Sequence, residues 1–163
     1  MIISIIGPGE SASVSDEEHA YEAGKLAAEL GHTVLTGGRA SGVMEAALKG
    51  AKEGGGTTVG ILPGNDTSEA SAFVDIPIIT GMGQARNQMN ILTADAIIAI
   101  GIGPGTLSEI ALAVKEKKPL ILFRPAGDLL SLLNKFEHGQ LFAAATITDL
   151  SGVIKNKITV PES

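Results

Sequence analysis

Short apolar runs recur along the chain, each closed by glycine or proline, and stretches with helical spacing separate them. Ile2-Ile3-Ser4-Ile5-Ile6 ends at Gly7-Pro8-Gly9, Thr33 to Leu35 at Thr36-Gly37-Gly38, and Thr57 to Leu62 at Pro63-Gly64. Ala96 to Ile100 ends at Gly101-Ile102-Gly103-Pro104-Gly105, and Leu120 to Phe123 at Arg124-Pro125-Ala126-Gly127. Runs that are apolar almost throughout, rather than alternating, predict strands buried on both faces. Between them, Asp16 to Leu30 places Ala20, Ala23, Ala27 and Leu30 at steps of three and four, one face of a helix. Ser15 with Glu18 reads as its capping box and Gly31 as its C-terminal stop. Further helices are expected at Ser41 to Glu53, Gln84 to Thr93, Leu107 to Lys117 and Leu129 to Phe136. Phe73 to Ile79 and Leu141 to Ala145 are expected as additional strands, and Pro161-Glu162-Ser163 as a frayed end.

Strand, glycine turn, helix and strand in repetition predict an α/β sandwich with a mainly parallel sheet. No interdomain linker interrupts the pattern, so one domain over residues 1–160 is expected. In such sheets ligands bind beyond the carboxyl ends of the strands, where the strand order reverses. The glycine clusters fall at those ends, where helix N-termini favour anions.

Composition narrows the picture. Glycine supplies 21 of 163 residues, against a usual share of about 7%, and its placement at strand ends argues for ligand turns rather than a flexible linker. With no cysteine the chain has no disulfide scaffold, thiolate metal site or thiol nucleophile. Twelve basic against 18 acidic residues, a net charge of -6, argue against a general nucleic-acid binder. No apolar run reaches the ~18 residues of a membrane span, and the first residues lack the basic region of a signal peptide. A cytoplasmic protein that begins at its mature start is the expectation.

Four clusters carry candidate chemistry. Gly7-Pro8-Gly9-Glu10-Ser11-Ala12 formally fits a dinucleotide-binding turn, but Ser13 to Ser15 delay the helix and no acidic residue follows the second strand to hold a ribose. Gly37-Gly38-Arg39-Ala40-Ser41-Gly42 reads as an anion cradle of backbone N–H groups with a fixed cation. Gly103-Pro104-Gly105-Thr106-Leu107-Ser108-Glu109 opens a helix, and Thr106 with Glu109 has capping-box spacing. Glu109 then either caps the backbone of Thr106 or faces a ligand. Arg86 falls at the start of the helix that follows Gly81 and Gly83, where a cation opposes the helix dipole. Its partner is expected to be Glu109, a ligand phosphate, or a surface carboxylate. The three histidines show no metal-ligand spacing, so no protein-ligated metal is expected. Met44 is expected as a core filler.

Taken together, Thr36-Gly37-Gly38, Gly42-Val43-Met44, Arg86-Asn87, Ala94-Asp95-Ala96 and Gly105-Thr106-Leu107-Ser108-Glu109-Ile110-Ala111 resemble the Rossmann-like superfamily often called "lysine decarboxylase-like". It includes Lonely Guy-type phosphoribohydrolases, DNA-processing protein A and molybdenum cofactor carrier proteins. The resemblance implies a Rossmann-like three-layer sandwich with a doubly wound sheet. The hydrolases carry P-G-G-x-G-T-x-x-E and an upstream Arg; here Gly103, Gly105, Thr106, Glu109 and Arg86 match, while Gly101 and Ile102 replace the Pro and first Gly. In the family's G-G-G-x-x-G-L-M-G loop Arg39 stands for the third Gly and Glu45 for the last.

The wording is closer to the carrier subgroup. That likeness implies binding, protection and carriage of an anionic phosphate-bearing cofactor, molybdenum cofactor, whose metal arrives held by its own dithiolene. Gly37, Gly38, Ser41 and Gly42 would hold one end of the ligand and Gly103, Gly105 and Thr106 the other. Gly7, Gly9 and Ser11 would wall the cleft, Arg39 and Arg86 with Asn87 beside it would supply charge, and Glu109 a further contact. Within an acidic protein this edge is expected to be locally positive. Molybdenum enzymes as recipients and a homodimer or homotetramer follow by the same likeness. The alternatives are a nucleoside 5'-monophosphate phosphoribohydrolase with Arg86 and Glu109 catalytic, and a nucleotide-binding module without catalysis.

Overall fold

The computed structural model describes residues 1–125 and 127–158. Its centre is a sheet of seven strands, all parallel: β1 (Ile2–Ile6), β2 (Thr33–Thr36), β3 (Thr58–Leu62), β4 (Ile76–Ile79), β5 (Ala96–Ala99), β6 (Leu120–Phe123) and β7 (Leu141–Ala144). Their order is β4-β3-β2-β1-β5-β6-β7. The chain winds outward from β1 in one direction, returns, and winds outward in the other. The reversal lies between β1 and β5, paired from Ile3 against Ala96 to Ile6 against Ala99.

Six helices cover the two faces: α1 (Val14–Glu29), α2 (Gly42–Glu53), α3 (Asn87–Thr93), α4 (Pro104–Lys115), α5 (Leu129–Leu133) and α6 (Ile147–Asn156). The apolar runs divide residue by residue between two cores, because successive strand side chains point to opposite faces. Ile3, Ile5, Ile98, Ile121 and Phe123 pack beneath α1, α2 and α6. Ile6, Ile97, Ala99, Leu120 and Leu122 pack beneath α3, α4 and α5. This is the doubly wound, three-layer Rossmann-like architecture, with a sheet that is wholly parallel among the described residues.

Several boundaries differ from the sequence reading. The capping box of α1 is Ser13 with Asp16, not Ser15 with Glu18: Ser13 Oγ accepts from the Asp16 N–H and the Asp16 carboxylate accepts from the Ser13 N–H. Both pairs have the required spacing, but Ser15 already lies inside the helix, where its Oγ contacts His19 Nε2 at 3.3 Å. The helix expected over Gln84 to Thr93 divides into a 3-10 turn, Gly83–Arg86, followed by α3. Helix α6 was not expected, although Thr146 and Asp149 form its capping box. The frayed end expected at Pro161 to Ser163 and the limit at residue 160 lie outside the described residues.

Helices α1 and α2 approach closely because each presents a glycine to the other. A Cβ at Gly24 would collide with the carbonyl of Ala47, and one at Gly50 with the carbonyl of Tyr21. Alanine is worth about 1 kcal/mol over glycine in a helix interior, but an unyielding backbone collision reverses the sign. Gly50→Ala is expected to destabilise by about 2 kcal/mol, read from urea unfolding midpoints. Gly152→Ala in α6, where none of the described residues lies within 4 Å, is expected to stabilise by about 0.5–1 kcal/mol.

Candidate functional site

A cavity of about 350 Å³ opens beyond the carboxyl ends of β1, β2 and β5. Gly7, Gly9 and Ser11 from the β1 loop form one wall, and Gly103, Gly105 and Thr106 at the start of α4 another. Gly37 and Arg39 enter from the β2 loop, Arg86 and Asn87 from the junction of the 3-10 turn with α3, and Glu109 from the second turn of α4. Eleven of the fourteen residues singled out in the sequence therefore meet around one space.

The other three do not line it. Gly38, at φ 75°, turns the β2 loop against Gly60 and gives its carbonyl to the Ser71 N–H. Gly42 packs against the Pro8 and Gly9 carbonyls, and the Val43 N–H donates to Pro8 O. The N-terminus of α2 is thus engaged by the β1 loop. Ser41 opens α2 without a side-chain cap and lies on an outer groove beside Glu45 and Lys49.

Arg86 is the buried cation of the site, 7% exposed. Its guanidinium lies against the bare face of Gly37: a Cβ there would fall 2.5 Å from both Nη1 and Nη2. Nη1 donates to Asn87 Oδ1 at 3.1 Å, and Nε has no partner among the described residues. Burial holds its pKa below the ordinary arginine value, Glu109 opposing and Arg39 reinforcing the shift. Arginine stays charged regardless.

Glu109 is not a helix cap. Gly103 opens α4 with Pro104 in the first turn and no side-chain cap. Glu109 instead accepts from Asn90 Nδ2 at 2.9 Å and is 7% exposed. Burial pushes its carboxyl above the ordinary glutamate value, although Asn90 and Arg86 both pull the other way. Among the described residues it makes no ion pair within 4 Å, so its attraction to Arg86 acts across a gap. Thr106 is buried with its Oγ1 unpartnered. Leu107 N–H donates to Gly103 O, while the N–H groups of Gly105 and Thr106 belong to the first helical turn, which has no intrahelical acceptor. They offer an anion two backbone donors beside the hydroxyl.

Arg39 is already paired. Nη2 lies 3.2 Å from Glu10 and Nε 3.6 Å from Glu69, and its loop is fastened to the β3–β4 connection by a bridge to Ala70. Glu10 and Glu109 line the cavity with Arg39 and Arg86, so the edge is charge-balanced rather than locally positive as expected. Glu10, Met44, Pro63 and Gln84 also line it and had not been singled out for it. Asn90 was legible only as one helical turn beyond Arg86. Among the described residues no group of three or more His, Cys, Asp or Glu is placed to hold a metal, and no helix is long and apolar enough to cross a membrane.

Residues 1–151 match the SLOG cluster4 family. The chain belongs to that family. This SLOG cluster4 protein superimposes with a TM-score of 0.90 on the molybdenum cofactor binding protein of Rippkaea orientalis, 48% identical and covering 97% of each chain. It superimposes with a TM-score of 0.87 on the molybdenum cofactor carrier protein of Chlamydomonas reinhardtii, 42% identical over 94% of this chain and 95% of that one. An uncharacterised protein of Archaeoglobus fulgidus is 47% identical over 128 residues, 77% of this chain and 81% of the relative. The likeness to the carrier subgroup read from Gly105 to Ala111 thus extends over nearly the whole chain.

The raised pKa of Glu109 fixes a sign. The folded chain holds this proton to higher pH than the unfolded chain does. The group's stabilising share is full below the ordinary glutamate value and is lost as pH rises through the raised one. Glu109→Gln keeps an acceptor for Asn90 and removes the titration. Its stability relative to the parent chain is expected to increase with pH through that window and to level off above it, as thermal unfolding across a pH series would show.

Proposed function

We propose that this SLOG cluster4 protein binds an anionic, phosphate-bearing cofactor in the cavity at β1, β5 and α4, and that the cofactor is molybdenum cofactor. The carrying observation is a set of unspent donors around one space. Arg86 Nε and Thr106 Oγ1 are buried without partners, next to the open N-terminus of α4. A buried donor without a partner carries a penalty of about 1–3 kcal/mol, and a phosphate would relieve several at once. The likeness to the molybdenum cofactor binding and carrier proteins supports the choice of cofactor.

The residues fit the group. Arg86, Thr106 and the Gly105 and Thr106 N–H groups would hold the phosphate, and Gly105, where a Cβ would meet none of the described residues within 4 Å, leaves the backbone open to it. The metal needs no protein ligand, since the pterin's own dithiolene holds it. When bound, the cofactor supplies an oxygen-sensitive redox centre. The chain's part is to bind it and exclude water, and in a carrier role to release it to molybdenum enzymes.

Glu109 favours a second reading. A buried carboxyl with a raised pKa beside an anion site is also the equipment of a general acid or base, as a nucleoside 5'-monophosphate phosphoribohydrolase would need. Two assays separate the two. In one, cofactor released from a molybdenum enzyme decays in the presence or absence of the protein. In the other, AMP is incubated with it and free adenine and ribose 5-phosphate are sought. Slowed decay without AMP turnover is expected. Arg86→Met is expected to weaken binding by about 10–100-fold, the equivalent of charge-assisted hydrogen bonds worth roughly 1.5–3 kcal/mol. Its fold should persist, because Glu109 keeps its Asn90 partner when Arg86 is removed, and circular dichroism of the variant checks this. AMP turnover that disappears in Glu109→Ala, with cofactor decay unslowed, would overturn the carrier role in favour of the hydrolase.

A further inference from the structure

On the side of the sheet that carries α3, α4 and α5, the half formed by β3 and β4 is bare. Paired strand residues share a face, and alternate residues of a strand share one too. The pairs Ser4–Leu35, Leu35–Val59, Val59–Ile76 and Ile61–Ile78 therefore place Ile76 and Ile78 on the side of Ser4 and Ile6. On that side α3 lies against β1, α4 against β5 and β6, and the 3-10 turn against β3. The chain joins β3 to β4 without a helix, through residues 63–75. This connection crosses the opposite face, where Val74 packs on Gly60. A parallel sheet is ordinarily covered on both faces, yet here Ile76 is 50% and Ile78 36% exposed. The segment that follows adds Met82, 51% exposed before the 3-10 turn, and Leu92, 49% exposed on α3.

We propose that a second copy of this chain covers the bare half-sheet through a two-fold contact, and that this contact backs the 3-10 turn carrying Arg86, so that self-association and anion binding strengthen each other. The second part rests on the anion-site function proposed above. Charge selects the occupant. Charged residues make up 18% of the chain, yet from Ile76 to Thr93 there is one, Arg86, and it is buried at the cavity. A two-fold contact sets the same patch of both copies against itself. In a chain of net charge -6, an uncharged apolar patch is a surface that two copies can bring together without repulsion, whereas it offers a dissimilar partner no charge to recognise. Pro77 directs the contact to the face of β4 rather than its edge. Proline sits in a sheet where its missing N–H points to an open edge, so a strand added there would go unbonded at that position. The link to the site is mechanical. Gly81 to Ala85 are all exposed, and the turn that ends at Arg86 rests on β3 beside the bare strand. A second copy pressed on this segment orders it before the anion arrives, and linkage makes the effect reciprocal.

The chain has no cysteine, so a single thiol can report on a chosen position. Ile78→Cys and, on α1, Val14→Cys, at a position 73% exposed, are alkylated with iodoacetamide across a dilution series while sedimentation velocity follows the parent chain. The parent is expected to associate at micromolar concentration. Alkylation at position 78 is expected to slow about tenfold relative to position 14 as association proceeds by mass action. A chain that stays monomeric leaves the half-sheet to a different partner and overturns the second copy, as does association that leaves position 78 unprotected. Ile76→Lys and Ile78→Lys, both outside the cavity and checked for folding by circular dichroism, are expected to be monomeric. In calorimetry they are expected to bind inorganic phosphate at least about fivefold more weakly than the parent. An added lysine attracts phosphate, so its charge cannot be the source of that loss. Monomeric variants that bind phosphate as tightly as the parent overturn the link and leave the second copy standing. Phosphate that fails to bind the parent, or binds Arg86→Met equally well, overturns the anion site and the link with it, and again leaves the second copy standing.

Discussion

The guanidinium of Arg86 against the bare face of Gly37 is the contact on which the site depends. Burying an unpaired charge costs several kcal/mol even after relaxation, so the surroundings must recover most of it. Asn87 supplies one acceptor and the field of Glu109 a further attraction. What remains, an unpartnered Nε, is the share left for a ligand. Side chains that look independent in the sequence are thereby linked. Gly37 has no side chain because Arg86 occupies the space, Asn87 follows Arg86 as its acceptor, and Asn90 holds the carboxylate that faces it.

Topology puts these groups in one place. The reversal of strand order between β1 and β5 leaves a gap between their outgoing loops, because one leads to α1 on one face and the other to α4 on the opposite face. Glycine then sets how closely the backbones converge. A Cβ on Gly7 would strike the Ile100 carbonyl and both methyl groups of Val43, so the β1 loop can lie against α2 and β5 only without one. The same device spaces α1 from α2 through Gly24 and Gly50, residues distant from the cavity. The glycine excess therefore has two physical roles, donor-rich turns at the sheet edge and close contact between helices. Only the first could be read from turn positions.

The strands were legible because a residue buried on either face must be apolar, and Ile97 and Ile98 serve opposite cores from adjacent positions. The cluster around Gly103 and Thr106 was legible because helix N-termini need particular residues. What spacing could not decide was which of two chemically valid partners wins. Ser13 and Ser15 both stand three residues before an acid, and the helix starts at the first of them. Thr106 and Glu109 have capping spacing, yet the carboxylate is drawn inward by Asn90, 19 positions earlier in the chain. Gly42 reads as a ligand turn until the β1 loop is seen to occupy it. Each of these outcomes is set by contacts between elements remote in sequence, which local pattern does not record.

Arg39 carries a consequence for kinetics. Its charge is shared between Glu10 and Glu69 at the rim, and the cavity's two arginines face two glutamates across it. In a chain of net charge -6 there is then little long-range field to draw an anion inward. An anion would therefore meet this edge against the net negative charge, faster at high ionic strength than at low, in contrast to the steered capture of proteins with a strongly positive mouth. Discrimination between anions lies in how long each one stays. On the proposed function, a bound molecule would leave at a rate set by the buried donors beneath it, which is what retention of a cofactor requires.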